Sequence, residues 1–369
     1  MRITQVEAIH LRLPEVREIA DGSQEVLLVR IESDSGHYGL GEIVSCSYVA
    51  RAVVEAPRSA PFRHGLAAIV NGMEVDDLGA IDRAMVEGTA WYGPGGIARH
   101  AMSGVDMALW DLRAKAAGVP VRRLLNANAV NRVPAYASVL WPDRPEQIAR
   151  SARNFAEQGY RCVKYGWGPM GPDAVLDEEL VAAARQALGD DIELMVDAGR
   201  AWDADIALQR AERFSTYRVF WLEEPLHPYD NEGYAAMASA SPVPIAAGEA
   251  VTLMEEYDRL LATGLQVVQP DLGRVGGISY AQCIAQRAVA ADCRPVAHAY
   301  GTGILLAASA QWAAAGADPL TEYTQASSPL ARDLVHHTME FRNGALVLDD
   351  TPGLGVALDP DVVARYRVS

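Results

Sequence analysis

Residues 219–225 read Val-Phe-Trp-Leu-Glu-Glu-Pro, a short apolar run that ends in two acids and a proline. Runs of this length between turn signals are typical of buried strands. Seven further apolar runs alternate with Ala-rich amphipathic segments. The eight predicted strands are Val133–Leu140, Arg161–Lys164, Ile192–Val196, Val219–Leu222, Val243–Ala247, Gln266–Pro270, Arg294–Ala297 and Pro319–Thr321. This alternation predicts a closed (β/α)8-type barrel, with an open doubly wound sheet as the alternative.

Each predicted strand after the first ends at an ionisable residue. These residues are Lys164, Asp197, Glu223, Glu249, Asp271, His298 and Glu322. Because the carboxyl ends of barrel strands open on one face, the side chains are expected to converge on a single mouth, where barrel active sites lie. Any one of these acids alone would more often be a solvated loop charge. Their repetition at strand ends is what favours a functional site.

Asp197, Glu223 and Glu249 are three carboxylates that should meet at this mouth. Like charges at short range disfavour ionisation unless a cation neutralises them. A ligand set of oxygens without His or Cys favours a hard cation such as Mg²⁺. We therefore expect these three residues to hold magnesium.

His298 lies one strand after Asp271, so the two side chains should be neighbours. A carboxylate that accepts from one ring nitrogen fixes the tautomer and leaves the other nitrogen to take a proton near neutral pH. Glu322 is expected to place a proton or a hydrogen bond on a substrate oxygen opposite the metal. These residue types predict abstraction of a proton next to a carboxylate, with His298 as the base.

The N-terminal third differs in texture from the rest of the chain. Residues 24–32 and 36–43 predict a strand hairpin, and apolar residues at spacings of three and four between 75 and 117 predict helices that end at Gly118. Strand and turn character returns after residue 324.

This organisation predicts two domains. We expect an α+β capping domain of residues 1–125, completed by 325–369, and a barrel domain of residues 126–324.

Composition excludes several functional classes. The 369 residues are 50% hydrophobic and 22% charged, and the formal net charge of −16 argues against a nucleic-acid partner. The four cysteines show no paired spacing, which fits a reducing cytosol. Residues 295–317 lack Asp, Glu, Lys and Arg, but polar residues and glycines interrupt them, so a strand, a loop and a core helix are predicted instead of a membrane span. We expect a cytoplasmic homo-oligomer.

Taken in order, these motifs resemble the enolase superfamily, in its mandelate racemase and muconate lactonizing enzyme branch. The matching segments are Ala98–Leu125, Val196–Asp197, Trp221–Pro225, Ala247–Glu249, Gln269–Asp271 with His298, Thr321–Tyr323 and Thr351–Gly355. The resemblance implies a modified TIM barrel of the (β/α)7β type, an α+β capping domain and Mg²⁺-assisted proton abstraction. It also makes Glu223 the metal ligand and places Glu224 behind it.

The second strand departs from this family. Its usual Lys-x-Lys motif is Lys164-Tyr165-Gly166 here, and the missing second lysine is the base that allows racemisation in relatives that have both. Strand alternation points Lys164 and Gly166 inward and Tyr165 outward, as a packing residue. Because β-elimination needs only one histidine, the resemblance with this departure implies dehydration of a sugar acid to a 2-keto-3-deoxy acid, with Lys164 and Glu322 binding the substrate.

Two other functions stay open. A racemase, epimerase or lactone cycloisomerase would use the same fold with an unexpected second group. A non-catalytic barrel would keep the ion only to stabilise the fold.

Specificity is expected to come from loops over the mouth, around Glu15–Gln24 and Cys46–Pro57 by resemblance to the family. Residues in these loops that either contact substrate or face water are Arg17, Tyr48 and Arg51. The segment Trp167–Pro172 either walls the pocket or is a plain turn.

Overall fold

The N-terminal part of the protein is built on a three-stranded antiparallel sheet. In the computed structural model, which describes residues 1–368, β1 (Ile3–Arg12) pairs with β2 (Glu25–Ser33), and β2 pairs with β3 (Tyr38–Ile43). The predicted hairpin is therefore confirmed. Gly36 lies in its turn with a φ of 81°, a conformation that favours glycine.

Five helices follow this sheet. They are α1 (Ser47–Glu55), α2 (Leu66–Val70), α3 (Leu78–Thr89), α4 (Ile97–Ala117) and α5 (Val121–Leu125). Helix α4 lies so close to the sheet that a Cβ added at Gly41 would be 2.0 Å from the carbonyl oxygen of Gly104. The helix ends where predicted, with Gly118 in the left-handed region at a φ of 69°.

Eight parallel strands form the second part of the molecule. They are β4 (Arg132–Leu140), β5 (Cys162–Gly166), β6 (Glu193–Asp197), β7 (Val219–Glu223), β8 (Ile245–Ala247), β9 (Val267–Val268), β10 (Arg294–Pro295) and β11 (Thr321–Thr324). Strands β4 to β10 pair in chain order, and β11 pairs with β4. A bridge between Ala297 and Thr321 links the stretch after β10 to β11. The mixed α/β class is confirmed.

Several strand boundaries differ from the prediction. Strands β8, β9 and β10 are shorter than expected, and the predicted stretches contain Pro244, Pro270 and Pro295, which have no N–H for a strand ladder. Strand β11 instead runs on to Thr324, because it pairs with residues 135–138 of β4.

Seven helices connect the parallel strands. They are α6 (Ile148–Glu157), α7 (Ala174–Leu188), α8 (Ala204–Ser215), α9 (Asn231–Ala240), α10 (Met254–Leu261), α11 (Gly277–Ala290) and α12 (Gly303–Ala315). The uncharged residues 295–317 form the end of β10, a loop and the buried helix α12, as predicted. Among residues 1–368, no helix combines the length and apolar character needed to cross a membrane.

The C-terminal segment contacts both parts of the molecule. Its elements are α13 (Pro329–Arg332), β12 (Val335–His337), β13 (Glu340–Arg342), β14 (Ala345–Val347), β15 (Val356–Leu358) and α14 (Pro360–Tyr366). Strand β14 pairs with the start of β4. In contrast, the N–H of Leu354 donates to Asp111 of α4, and the N–H of Val368 donates to the carbonyl of His10 in β1. Ser369, the last residue of the expected segment, lies outside the described residues.

Candidate active site

The seven ionisable residues predicted at strand ends lie together in the structure, and each is at least nine-tenths buried. Five of them line a cavity of about 150 Å³, called here the catalytic cavity. Its lining residues are Ala20, Gly22, Val44, Ser138, Val139, Leu140, Lys164, Gly166, Trp167, Asp197, Glu249, His298, Tyr300 and Glu322. Glu223 and Asp271 are fully buried and support this lining from beneath.

His298 and Asp271 form the expected pair. Nδ1 of His298 lies 2.6 Å from Oδ2 of Asp271, and Oδ1 of Asp271 accepts from the N–H of Gly273 at 2.7 Å. The other ring nitrogen, Nε2, lies 3.1 Å from Oε2 of Glu249. Burial lowers the pKa of His298, but Glu249, Glu322 and Asp271 outweigh burial and raise it to about 10. Asp271 therefore orients the imidazole while the neighbouring acids favour its charged form.

Lys164 lies between two carboxylates. Its Nζ pairs with Glu223 and with Oε1 of Glu322, the latter at 2.9 Å. Burial lowers the pKa of Lys164, but these two acids outweigh it and raise the pKa well above the ordinary value. Burial raises the pKa of Glu322, whereas Lys164 and His298 lower it to about 2. Lys164 and His298 therefore hold Glu322 in its ionised form, and its role toward a substrate oxygen stays a prediction.

Glu223 has two further partners that sequence reasoning missed. Its Oε2 accepts from Nε1 of Trp221 at 3.1 Å and from Nε2 of Gln269 at 2.6 Å. Both donors lie two residues from a predicted site residue along their strands, and inward-facing positions alternate with period two. That periodicity is the signal that could have identified them.

The carboxylates at the mouth outnumber their cationic partners. Burial, together with repulsion from Glu223, raises the pKa of Asp197 well above the ordinary value. The pKa of Glu224 is also raised well above the ordinary value, by burial and by repulsion from Glu249 and Asp197. Both carboxylate oxygens of Glu224 are buried without a hydrogen-bond partner, and the nearest cation is Arg200, with Nε at 3.6 Å. This excess of buried negative charge and the all-oxygen donor set fit a hard divalent cation.

The carboxylates do not form a ready-made ligand cluster. Across residues 1–368, no group of three or more His, Cys, Asp or Glu is arranged to hold an ion as it stands. The reason is that Glu223 is bound to Lys164, and Glu249 faces His298. Both carboxylates therefore have internal partners in this structure.

Gly166 stands where the family's second lysine would be. A Cβ added there would lie 2.8 Å from both Cβ and Oδ2 of Asp197, closer than real Cβ contacts. Tyr165 faces the opposite way, with its hydroxyl 2.9 Å from Oγ of Ser151 in α6 and its ring stacked on Trp141. The predicted packing role of Tyr165 is confirmed, and any side chain at position 166 would require Asp197 to shift.

Two of the predicted wall segments reach the catalytic cavity. Trp167 lines it, with a left-handed φ of 57°, so the segment after β5 does form part of the wall. Ala20 and Gly22, in the loop between β1 and β2, also line the cavity, as expected for residues 15–24. Val44 and Tyr300 also line the cavity. The sequence prediction missed them because it selected residues that are charged or titrate near neutral pH.

The expectation for residues 46–57 is wrong. Most of this stretch is helix α1, and the lining of the catalytic cavity contains none of its residues. Nε of Arg51 donates to Glu55 one turn further on, and Tyr48 packs edge-on against His10. The side chain of Arg17 is exposed to solvent.

The fold and the site define an α/β protein in which buried acids, one lysine and a His–Asp pair face one cavity at the strand ends. Residues 7–126 match the family described as mandelate racemase / muconate lactonizing enzyme, N-terminal domain, and residues 147–362 match the family described as enolase C-terminal domain-like. The protein therefore belongs to the enolase superfamily, in its mandelate racemase and muconate lactonizing enzyme branch.

Its relatives include more than one activity. The chain is 29% identical to a D-galactarolactone cycloisomerase of Agrobacterium fabrum, with 93% of this chain and 91% of the relative covered. It is 32% identical to an L-talarate/galactarate dehydratase of Salmonella typhimurium, with 90% and 80% covered. Among solved structures, it is similar to the 3,6-anhydro-D-galactonate cycloisomerase of Zobellia galactanivorans, with a TM-score of 0.90, 27% identity and all of both chains covered.

Proposed function

We propose that this protein is a Mg²⁺-dependent hydro-lyase that removes the α-proton of a sugar acid and eliminates its β-hydroxyl, giving a 2-keto-3-deoxy acid. The observation that carries the proposal is the one-sided base. The His298–Asp271 pair and Lys164 meet at the catalytic cavity, while Asp197 fills the space that a side chain at Gly166 would need. Dehydratases among the relatives support this choice of reaction.

The architecture proposed with it is a modified TIM barrel of the (β/α)7β type. The pairing of β11 with β4 and the bridge after β10 support closure of residues 126–324 into a barrel. The contacts of Leu354 and Val368 with α4 and β1 support a capping domain made of residues 1–125 and 325–369.

Asp197, Glu223 and Glu249 are the residues proposed to hold Mg²⁺. A bound Mg²⁺ would supply a Lewis acid that neutralises negative charge on the substrate carboxylate. Glu224 would remain behind these ligands, paired with Arg200.

The chain's own groups carry the proton transfers. Lys164 is held in its charged form by Glu322 and is placed to donate to the substrate carboxylate. Nε2 of His298 takes the α-proton, and the electron pair of the C–H bond forms the enediolate. When the enediolate collapses, the β C–O bond breaks and His298 returns a proton to the departing hydroxyl as water. The resulting enol then becomes the 2-keto acid.

His298 must be neutral to accept a proton. Its pKa is about 10 here because Glu249, Glu322 and Asp271 stabilise the charged ring. If Glu249 held a cation, it would no longer serve as a counter-ion for the imidazole, and the pKa of His298 would fall toward its ordinary value. The proposed base is therefore active only when Glu249 has turned from Nε2.

A lactone cycloisomerase is the second candidate function, because several relatives carry that activity. An isomer of the substrate, formed by opening or closing a ring without loss of water, is the product that would distinguish it from a dehydratase.

The testing experiment is a screen of mono- and di-acid sugars with Mg²⁺ that measures keto-acid formation. We expect at least one sugar acid to be dehydrated by the wild type and not by His298→Asn. His336→Asn is the matched control, because His336 is exposed and pairs with Asp359. Equal turnover by wild type and His298→Asn would contradict the proposal and favour a structural ion site. The cytoplasmic location and the homo-oligomer stay predictions, the latter measurable by light scattering.

A further inference from the structure

A second cavity of about 230 Å³ adjoins the catalytic cavity. It is called here the side cavity, and it shares the wall residues Gly22, Val44 and Tyr300 with the catalytic cavity. The two cavities therefore lie next to each other, and a long, flexible substrate whose reacting end lies at His298 would have to extend past these three residues to reach the side cavity. The groups on its wall then decide what the far end of the substrate carries.

Most polar groups of the side cavity already have a partner. Glu42 accepts from the N–H and hydroxyl of Thr302 and from the N–H of Leu305, so it caps helix α12. Glu25 lies 2.6 Å from Nε2 of His10. These two acids are bound to the protein and are not available for a ligand cation.

Arg274 is the exception among the charged wall residues. It lines the side cavity and is only partly buried, yet its Nε is wholly buried without a hydrogen-bond partner. Within residues 1–368, its guanidinium forms no ion pair. Nearby His100 is held by Oγ of Ser45 at 2.8 Å, and burial together with Arg274 lowers the pKa of His100 to about 4. His100 is therefore neutral at physiological pH, and Arg274 is the cation that this wall presents.

The catalytic cavity offers no comparable free cation in the described chain. Lys164 is paired with Glu223 and Glu322, and His298 lies between Asp271 and Glu249. A second anionic group on the substrate would thus find its unpaired partner in the side cavity. A single guanidinium matches a carboxylate, which it binds with two parallel hydrogen bonds.

We propose that the substrate is an acyclic sugar diacid whose reacting end occupies the catalytic cavity and whose distal carboxylate binds Arg274 in the side cavity. This inference rests on the proposed function and names its substrate class. It makes Arg274 a determinant of specificity for diacids over the corresponding monoacids.

The test compares each diacid with its monoacid in the wild-type holoenzyme and in Arg274→Met and Arg274→Lys. Galactarate is paired with galactonate, and glucarate with gluconate, so configuration is constant within each pair. We expect the wild type to prefer one diacid in kcat/KM. The diacid-to-monoacid ratio should fall at least 50-fold in Arg274→Met and less in Arg274→Lys, which keeps the charge but not the two-pronged geometry. Arg287→Met is the control, since Arg287 pairs with Asp258 on the surface.

A binding arm separates this inference from the proposed function. Calorimetry on His298→Asn in saturating Mg²⁺ measures binding of the same acids without turnover, with and without Arg274→Met. Diacid binding that is weakened selectively by Arg274→Met supports the subsite even if no keto acid forms in the screen. A wild type that prefers monoacids, or a ratio that neither Arg274 variant changes, would overturn the inference and leave dehydration intact. Tighter binding of 6-phosphogluconate than of any diacid would also overturn it.

Discussion

Two successive layers inside the parallel strands differ completely in chemistry. One layer is an apolar cluster that is nearly free of solvent contact, made of Tyr136, Met195, Trp221, Ala246, Val267, Val296 and Leu320. Two residues further along four of these strands lie the ionisable residues, with Asp197 after Met195, Glu223 after Trp221, His298 after Val296 and Glu322 after Leu320. Strand alternation gives both layers the same inward direction. The strands thus place a sealed hydrophobic layer directly beneath buried charges.

The two layers contribute differently to the stability of the protein and to its proposed chemistry. The apolar layer stabilises the fold through burial and close packing, including an edge-on contact of Tyr136 with Trp221. The ionisable layer is equally buried but holds acids that repel one another. Strained backbone is also found next to the ionisable layer. Trp167, Arg200 and Glu224 have left-handed φ just beyond β5, β6 and β7.

Replacing the proposed base should give the largest effect. We expect His298→Asn to lower kcat for α-proton abstraction by roughly 10³-fold to 10⁴-fold, because general-base catalysis is lost. The variant should remain folded in urea unfolding with Mg²⁺ present, although it loses the stabilisation that the protonated ring gives below its pKa of about 10. A variant that loses its activity only by unfolding would contradict this division between the layers.

A cavity in the apolar layer should give the opposite result. Met195 is fully buried, and Met195→Ala should lower the free energy of unfolding by about 2–5 kcal/mol. Met195→Leu is the control and should cost less than about 1.5 kcal/mol. Both values come from urea unfolding in the presence of Mg²⁺. Equal stability of the two variants would show that this layer is loosely packed.

Removing an excess negative charge next to the ionisable layer should stabilise the metal-free protein. Burial, Glu249 and Asp197 raise the pKa of Glu224 in the folded state, so that state binds a proton more tightly than the unfolded chain. Stability therefore falls as pH rises from the ordinary carboxyl value toward the raised one. Glu224→Gln should add about 2 kcal/mol at pH 8 and flatten this dependence.

The measurement for Glu224→Gln is urea unfolding between pH 5 and pH 8 with a chelator present. His298 acts in the same direction, because its contribution is complete below about 6.5 and is lost as pH rises toward about 10. The exposed variant Glu212→Gln is the control. A steeper pH dependence in Glu224→Gln than in the wild type would contradict the account.

The smallest predicted effect concerns the space at position 166. Gly166→Ala adds a Cβ 2.8 Å from Oδ2 of Asp197, so the carboxylate must shift. We expect roughly 10-fold weaker Mg²⁺ binding by calorimetry, the size typical of disturbed ligand orientation. Gly79→Ala, on the open face of α3, should bind Mg²⁺ as the wild type does. Unchanged affinity in Gly166→Ala would mean that Asp197 is not a ligand.

Much of this organisation could be predicted from local sequence. Period-two alternation and strand-end position located all seven ionisable residues, because a parallel strand sends its last inward residue to the same end as its neighbours. The absence of a side chain at Gly166 pointed to chemistry on one face. Those inferences needed no knowledge of long-range contacts.

Contacts between distant segments could not be predicted in this way. Nothing in the sequence near Arg274 shows that it lines the side cavity together with residues of β2 and β3 and of the segments that follow β1 and β3. The ionised state of Glu322 also depends on the distance of Lys164, which only the folded arrangement defines. Sequence patterns therefore identified the residues of the ionisable layer but not the pairing of charges within it.

An experiment in D₂O tests whether His298 abstracts the proton from one face of the substrate. The wild-type enzyme with Mg²⁺ and a sugar acid that it consumes should form a deuterated 2-keto-3-deoxy acid, and recovered substrate should keep its configuration by NMR. His298→Asn should form neither product nor exchanged substrate. Recovered substrate that carries deuterium with inverted configuration, without keto acid, would show a second base and contradict the account.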